Sequence, residues 1–289
     1  MLASVKALLS SIVDYAGLFP PAKLSLPEAM ATYAQDQMAA YCWMLGQFVL
    51  PASRLNEFVA LLPTFPLKQW SLSAILSGEV ELEIEKIKSF DQDAIAITAL
   101  EFPPLLPPQI QHLLPHLPVG VDAFFEIPLS QDLKPYLAVL QHPGVSAKIR
   151  TGGITPAAFP SAAQLAQAIV ALITAGIPFK ATAGLHHPLP ANHPVTYAPD
   201  SPATLMHGFL NVAILAAIAN QQKVTLAEAL DILQISSIKG CEFTEDQIIW
   251  RDRHLNIAEL AASRQHCFRS FGSCSFQEPI EDLKKLNLI

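Results

Sequence analysis

The sequence predicts a single-domain α/β protein, a TIM-type (β/α)8 barrel with a helical insertion before its last strand. Two observations lead to this prediction. Short apolar runs alternate with segments of helical periodicity from residue 13 onward, which is the pattern of parallel strands joined by helices. Eight such apolar runs are visible, the number that closes this type of barrel. An open, doubly wound sheet built from the same strands is the alternative.

Length and composition fit one large, well-buried domain. The chain has 289 residues, of which 51% are hydrophobic and only 15% are charged, whereas about a quarter is typical for charged residues. Much of the chain must therefore lie between layers of secondary structure. We interpret residues 1–289 as one barrel domain, in which residues 188–266 form the insertion.

The same composition argues against several classes of protein. A net charge of −7 with 18 Lys and Arg residues cannot supply a basic face for nucleic acid. No uninterrupted apolar run reaches the ~18 residues that span a bilayer, so no membrane partner is expected. The four cysteines form no C-x-x-C pair, which favours reduced thiols in the cytoplasm over a disulfide framework or a zinc ribbon. The N-terminal segment lacks a signal-peptide cleavage site, and we interpret it as a mature start.

The eight apolar runs are the predicted strands. Each is rich in aliphatic or aromatic residues and is closed by Gly, Pro or a polar residue. They lie at or within residues 13–19, 43–50, 70–76, 94–100, 119–125, 147–153, 179–187 and 268–274.

Helices are predicted between these strands from caps and apolar spacing. Ser25 begins one that runs to about residue 37, and Ser161 begins another that stops before Gly176. Proline pairs delay a third helix to about Gln109. The remaining helices between strands lie at residues 53–62, 79–87, 132–140 and 279–286.

After the seventh strand the rhythm changes. A proline-rich loop at 188–202 leads into a strongly apolar helix at 203–220. Capping boxes predict helices from Thr225 and from Asn256, and a short strand lies at 248–250. The helix at 203–220 has more hydrophobic surface than one core face requires, which suggests a homo-oligomer.

Two lysines stand near the ends of the sixth and seventh strands. Neighbouring parallel strands end at the same side of a barrel, where α/β proteins keep their chemistry, so Lys148, Lys180 and Arg150 are expected to meet there. Clustered cations and partial burial favour a neutral lysine amine, which can attack a carbonyl group. We assign the nucleophilic role to Lys148, with Lys180 and Arg150 as its electrostatic neighbours.

Three carboxylates also end strands and are candidate proton carriers. They are Asp14, Glu101 and Glu126, and nothing in the sequence chooses between them. A purely structural interpretation is also open, because a lysine at a strand end can simply form an ion pair with Glu101 or Glu126.

Four short segments resemble one enzyme family. Residues 148–152 (Lys-Ile-Arg-Thr-Gly) resemble the strand-six motif of deoxyribose-phosphate aldolases and their relatives, which surrounds the Schiff-base lysine. Residues 180–184 (Lys-Ala-Thr-Ala-Gly) resemble the strand-seven motif, whose lysine tunes the first. Residues 269–275 are similar to the family's phosphate-binding last strand, and residues 13–15 resemble its first-strand motif without the histidine and threonine.

This resemblance implies an aldolase-like carbon–carbon lyase that works without a cofactor. Its substrate would be a small carbonyl compound, with or without a phosphate group, bound to Lys148 as a Schiff base. The family's proton-relaying carboxylate has no matching motif, and the span from Lys180 to Gly272 is longer than one strand–helix unit. The expected substrate-binding residues surround the motifs and are Thr151, Gly152, Thr182, Gly184, His186, His187, Gly272 and Ser273.

Two alternatives use the same barrel. One is a metal-dependent isomerase or hydrolase, in which His186 or His187 binds a divalent metal together with His207 and a carboxylate. Adjacent side chains on an extended backbone point to opposite sides, so both neighbouring histidines are not expected at one metal. The other alternative is a non-catalytic protein that binds a small molecule, since the fold alone does not imply catalysis.

Overall fold

The computed structural model describes residues 1–90 and 93–289. Strands and helices alternate along the chain, as the periodicity predicts. The strands are β1 (Val13–Tyr15), β2 (Leu45–Pro51), β3 (Trp70–Ile75), β4 (Ile95–Phe102), β5 (Asp122–Ile127), β6 (Val145–Arg150), β7 (Phe179–Thr182), β8 (Ala191–Pro194), β9 (Ala203–Met206), β10 (Glu242–Phe243), β11 (Gln247–Trp250), β12 (Arg253–Asn256) and β13 (Phe268–Ser273).

The helices lie mostly between the barrel strands. They are α1 (Ala3–Leu9), α2 (Leu26–Gln37), α3 (Leu55–Leu61), α4 (Val80–Lys88), α5 (Pro107–Leu113), α6 (Lys134–Leu140), α7 (Ala162–Thr174), α8 (Phe209–Gln221), α9 (Leu226–Leu233), α10 (Ile257–His266) and α11 (Gln277–Lys285).

Eight of the strands form a closed parallel barrel. Its order is β1, β13, β7, β6, β5, β4, β3, β2, and β2 pairs with β1 to close the ring. The predicted TIM-type barrel is therefore confirmed, and an open sheet is excluded for the described residues. Because all these strands are parallel, their carboxyl ends meet at one mouth.

Side-chain alternation gives the barrel wall two different faces. On β1, Val13 and Tyr15 pack outward into the helix layer, while Asp14 between them points inward and reaches Lys180. On the outer face, Phe102 of β4 stacks on Phe125 of β5 with 4.1 Å between ring centroids. The outer face therefore builds the hydrophobic core, and the inner face is left for polar chemistry.

The start of α5 differs from the prediction. This helix begins at Pro107 and not near Gln109, because proline is accepted in the first turn, where its missing N–H has no partner to lose. The short helix α1 was not predicted, since seven residues give too few turns for a clear periodicity.

The segment before the last strand contains more than helices. Residues 203–206 were predicted as helix but form β9, which pairs with β8 in an antiparallel hairpin. The helix α8 begins only after Gly208. A second antiparallel sheet, β10-β11-β12, separates α9 from α10. Short apolar runs do not distinguish strand from helix, and the pairing partner decided the outcome here.

The apolar helix α8 is covered within the chain. Its residues from Phe209 to Ile218 are all buried, and it packs against α7, α9, α10 and β13. Its hydrophobicity is thus accounted for without a second subunit, and the homo-oligomer remains a prediction without this support.

One helical stretch within residues 1–90 and 93–289 passes a length and composition test for a membrane span. It is Pro156–Thr174, which contains α7. In the structure Leu165, Ile169 and Leu172 of α7 are buried inside the chain.

Candidate active site

The strand register brings the two lysines side by side. Lys148 on β6 lies opposite Lys180 on β7, and Glu126 on β5 lies opposite Lys148. All three point to the inner face, because each stands at an alternate position to a residue packed outward. Both lysines are almost completely buried, with exposed fractions of 4% for Lys148 and 1% for Lys180.

Glu101 bridges the two amines. Its Oε1 accepts a hydrogen bond from Lys180 Nζ at 2.6 Å, and its Oε2 lies 3.5 Å from Lys148 Nζ. The hydroxyl of Ser73 also donates to Oε1, at 2.8 Å. A single carboxylate therefore connects the lysines that resemble the nucleophile and its neighbour.

The other two carboxylates each take one side of the pair. Asp14 Oδ2 accepts hydrogen bonds from Lys180 Nζ and from Ser270 Oγ, both at 2.6 Å. Glu126 Oε2 lies 3.2 Å from Lys148 Nζ. Its two oxygens also accept from Arg150, at 3.0 Å from Nε and 3.3 Å from Nη2. We refer to these six side chains, Asp14, Glu101, Glu126, Lys148, Arg150 and Lys180, as the charged cluster.

The lysine amines are held with unequal strength. Lys180 makes two short hydrogen bonds, whereas Lys148 makes two longer ion contacts. The repulsion expected between clustered cations is offset, because the cluster holds as many carboxylates as cations. The sequence allows an ion pair of a strand-end lysine with Glu101 or Glu126, and in the structure both take part, with Asp14 as an additional partner.

Electrostatics fix the charge states of Glu101 and Lys180. Burial alone raises the pKa of Glu101, but the ammonium groups of Lys180 and Lys148 outweigh burial and lower that pKa from about 4.5 to about 2. Burial alone lowers the pKa of Lys180, but Asp14 and Glu101 outweigh it and raise that pKa well above its ordinary value. Lys180 is therefore a firmly protonated lysine, and Glu101 a firmly ionised carboxylate.

A cavity of about 1000 Å³ opens above the cluster at the carboxyl ends of the strands. Lys148, Lys180, Glu101, Glu126 and Arg150 form its floor. Asp14 lies below, and it lines a separate cavity of about 500 Å³ at the opposite end of the barrel. The predicted residues that line the upper cavity are Gly152, Thr182, Gly184, His186, His187 and Gly272.

Two glycines of the predicted substrate loops pack against each other. A Cβ on Gly184, which has φ of +82°, would lie 2.7 Å from Gly152 Cα, and one on Gly152 would lie 2.8 Å from Gly184 Cα. The absence of side chains at these positions is thus required for loop packing. The glycines bring the ends of β6 and β7 together above the lysines.

Besides Asp14, three of the predicted site residues lie outside the upper cavity. Thr151 and Ser273 stand at outward-facing positions in the alternation of their strands. The Thr151 hydroxyl donates to the carbonyl of Ala183, and the Ser273 hydroxyl donates to the carbonyl of Ser275 at 2.7 Å. His207 is buried, and its Nε2 donates to the carbonyl of Pro160 at 2.8 Å.

His186 and His187 both line the cavity, contrary to the expectation that they point to opposite sides. The chain turns here through Ala183 and Gly184, both with positive φ, so the backbone is not extended. His186 Nδ1 lies 3.4 Å from a carboxylate oxygen of Glu278, and His187 Nδ1 lies 2.6 Å from one of Asp282. The ring of His193 stacks on His187 with 3.5 Å between centroids.

The metal alternative finds no assembled donor set among the residues that the structure describes. No group of three or more His, Cys, Asp or Glu side chains is arranged to hold a metal ion there. His207 is turned toward Pro160 and does not join His186 and His187 at the cavity.

Several residues of the mouth were not anticipated. Glu278 and Asp282 lie one turn apart on α11 and face the histidine pair. Their spacing of four residues on the helix after the last barrel strand was a usable signal, because such a helix begins at the mouth. Tyr197 lies in the loop after β8, and its hydroxyl donates a hydrogen bond of 2.8 Å to Glu278. Nothing in the sequence indicated that Tyr197 would reach the mouth.

Comparison with known proteins adds nothing to this geometry. No protein-family model, no curated protein and no solved structure matches the chain. The proposals below therefore depend on the residues themselves.

Proposed function

We propose that the protein is an aldolase-like carbon–carbon lyase, in which Lys148 forms a Schiff base with a small carbonyl compound. The observation that supports this most is the bridging position of Glu101 between Lys148 and Lys180. It provides a buried nucleophile candidate with a fixed positive charge beside it, and it leaves Glu126, 3.2 Å from Lys148 Nζ, as the carboxylate that moves protons.

The two lysines divide the work according to their contacts. Lys180 keeps its proton, because its pKa is raised by Asp14 and Glu101. Lys148 is at the cavity floor and has only the longer contacts, so its amine is the one that can transfer a proton to Glu126 and then attack. The fixed charge of Lys180 favours that proton transfer.

The proposed reaction is balanced as follows. The Lys148 amine adds to the substrate carbonyl, and the carboxylate that took the lysine proton returns it as one water leaves, which gives a protonated imine. The same carboxylate then removes the proton of a hydroxyl two carbons from the imine carbon. The carbon–carbon bond breaks, the carbon that carried the hydroxyl leaves as the first carbonyl product, and the electron pair of the bond moves into the imine to leave an enamine. A proton returned to the enamine carbon and one water for hydrolysis release the second carbonyl product and restore the lysine.

Borohydride trapping tests this proposal. The protein is incubated with a panel of aldehydes and ketones and reduced, and the modified peptide is located by mass spectrometry. We expect one adduct on Lys148. Lys148→Met should abolish it, whereas Lys68→Met, at an exposed lysine, should leave it unchanged. No adduct on Lys148 with any carbonyl compound would reject the Schiff base.

A second function has support from one observation. Every member of the charged cluster has a partner within it, which also fits a non-catalytic protein that binds a small molecule over an ion-pair floor. Tight binding to the cavity without an adduct would favour this function.

The four thiols are free in the structure, which agrees with the proposed cytoplasmic location.

A further inference from the structure

We infer that the cavity above the charged cluster takes an uncharged carbonyl compound with an apolar body, and not a phosphorylated one. This inference rests on the proposed function and specifies its substrate class. Four observations lead to it: the charge balance of the floor, the composition of the walls, the acid at the helix end where a phosphate could bind, and the packing of two glycines.

The floor has no free positive charge for a phosphate. Lys180 is neutralised by Asp14 and Glu101, and Lys148 lies between Glu101 and Glu126. Arg150 directs its Nε and Nη2 at Glu126 in a two-pronged contact. A dianion placed on this floor would have to break existing ion pairs, because carboxylates already hold all three cations.

The walls are mainly apolar. Phe19, Val49 and Ile75 lie on the side of β1 to β3, and Ile154, Phe159 and Met206 lie on the opposite side. A cavity of about 1000 Å³ with such walls is far larger than a three-carbon sugar phosphate needs. It instead matches a ligand that places a hydrocarbon or aromatic body against these side chains and its carbonyl group over Lys148.

The helix end that could bind a phosphate is already occupied by an acid. Glu278, in the first turn of α11, lines the cavity and accepts a hydrogen bond from Tyr197. Its carboxylate satisfies the positive end of the helix dipole and repels a second anion. His193, also at the cavity, is biased toward its neutral form, because burial and the neighbouring His187 lower its pKa.

The glycine-rich loops do not open a cradle either. Gly152 and Gly184 contact each other, so the close approach that they permit is between two loops of the protein. At these two glycines this removes the usual reason for expecting a phosphate beside a strand end.

Matched aldehydes test the substrate class. We would measure the concentration that gives half-maximal adduct on Lys148 for 3-phenylpropanal, glyceraldehyde and glycolaldehyde phosphate, each corrected for its reaction rate with a free lysine derivative. We expect the half-maximal concentration of 3-phenylpropanal to be at least about tenfold lower than that of glycolaldehyde phosphate. A difference of this size is in the range that burial of an apolar body provides. A preference for the phosphorylated aldehyde would overturn the inference.

A charge variant tests the reason for the preference. Glu278→Gln should improve the reaction of glycolaldehyde phosphate relative to that of 3-phenylpropanal, because it removes the repelling carboxylate but retains an acceptor for Tyr197. Glu281→Gln, on the exposed side of the same helix, is the matched control and should change neither. If Glu278→Gln leaves the phosphorylated aldehyde as poor as before, the electrostatic argument is wrong.

A non-covalent experiment separates this inference from the Schiff base. The alcohol 3-phenylpropanol cannot form an imine, and we expect it to bind and to protect Lys148 from acetylation, whereas glycerol 1-phosphate should do neither. Binding of the alcohol without any carbonyl adduct would reject the proposed catalysis but support the ligand class. Tighter binding of glycerol 1-phosphate, or no protection by either compound, would overturn the ligand class.

Discussion

The outer and inner faces of the barrel wall differ residue by residue along the same strands. On β4 and β5 the outward rings of Phe102 and Phe125 stack at 4.1 Å, while the adjacent Glu101 and Glu126 point inward to the lysines. Neighbouring positions of one strand thus belong to different environments. The outer face contributes burial of apolar area, and the inner face contributes paired charges whose burial has a desolvation cost.

The comparison separates the face that supplies stability from the face where the proposed chemistry lies. An aromatic cluster around Tyr33, Phe48, Phe58 and Trp70 packs the outer side of β2 and β3 at ring distances of 5.1 to 6.1 Å. Replacing buried ion pairs with apolar groups often leaves a protein equally stable or more so. The inner charges are therefore better explained by chemistry than by stability, and substitutions on the two faces should separate these effects.

On the inner face, Lys180→Met is expected to have the largest effect on stability and on trapping together. This change leaves Asp14 and Glu101 without their shortest partner, and breaking such a buried pair typically costs about 3–5 kcal/mol. Lys148 then becomes the single ammonium group among three carboxylates, which hold it more strongly once the repulsion from Lys180 is gone. We expect trapping at neutral pH to fall by roughly tenfold, which corresponds to about 1.4 kcal/mol.

Denaturant unfolding and the rate of borohydride trapping measure these two effects. Lys180→Met combined with Asp14→Asn is the control, because it removes one unpaired carboxylate and should recover part of the stability. Unchanged stability together with unchanged trapping in Lys180→Met would show that the two lysines do not interact.

An outer-face substitution should affect stability alone. Phe125→Ala removes a buried ring from the stack with Phe102 and should cost about 3–5 kcal/mol in the free energy of unfolding. The charged cluster keeps its members, so we expect the same extent of trapping per folded molecule. Trapping measured well below the midpoint of unfolding checks this, and a loss similar to that of Lys180→Met would mean that the two faces are not separable.

The pH dependence of stability should come from the inner face. Glu101 has its pKa lowered from about 4.5 to about 2 in the folded protein, so its contribution is present above pH ~4.5 and is lost as the pH falls toward 2. Lys180 has its pKa raised, so its contribution is present below the ordinary lysine value and is lost at higher pH. Melting temperatures measured across pH should show a plateau between these limits.

The two faces also differ in how they respond to substitution across this pH range. Phe125→Ala should lower the whole pH curve without changing its shape, whereas Glu101→Gln should flatten its acidic limb. An acidic limb equally steep in Glu101→Gln would assign it to other carboxylates.

The outer face was the more predictable of the two from sequence. Strands such as β3 and β6 are recognisable because most of their own residues are buried, which gives short, largely apolar runs. The prediction of helix at residues 203–206 was wrong, because the local sequence fits either a helix or a strand. Only the pairing of these residues with β8 makes them a strand. That information is held by a second segment of the chain.

The inner face was predictable in composition but not in geometry. Lys148, Lys180 and the three carboxylates were identified as strand-end residues, and the structure brings them together. The sequence could not select Glu101 as the bridge, because its height relative to β6 and β7 depends on the stagger of all the strands between them. Glu278 and Tyr197 reach the mouth from distant segments, and only the closed barrel places them there.

The smallest expected effect concerns the rim of the mouth, where neither face of the barrel wall dominates. The Tyr197 side chain is more than half exposed, and its hydroxyl donates to Glu278 at 2.8 Å. Tyr197→Phe removes this hydrogen bond but retains the ring, so we expect a loss of about 0.5–1 kcal/mol in stability.

The hydrogen bond from Tyr197 also contributes to the lowered pKa of Glu278, although burial opposes this lowering and His186 contributes more to it. In the variant that pKa should rise, and the loop after β8 should be cleaved faster by a protease. Carbonyl adduct on Lys148 should be unchanged, because the charged cluster lies at the floor of the cavity. A severe loss of adduct in Tyr197→Phe, similar to that in Lys180→Met, would indicate that the reactive centre lies at the rim of the cavity and not at its floor.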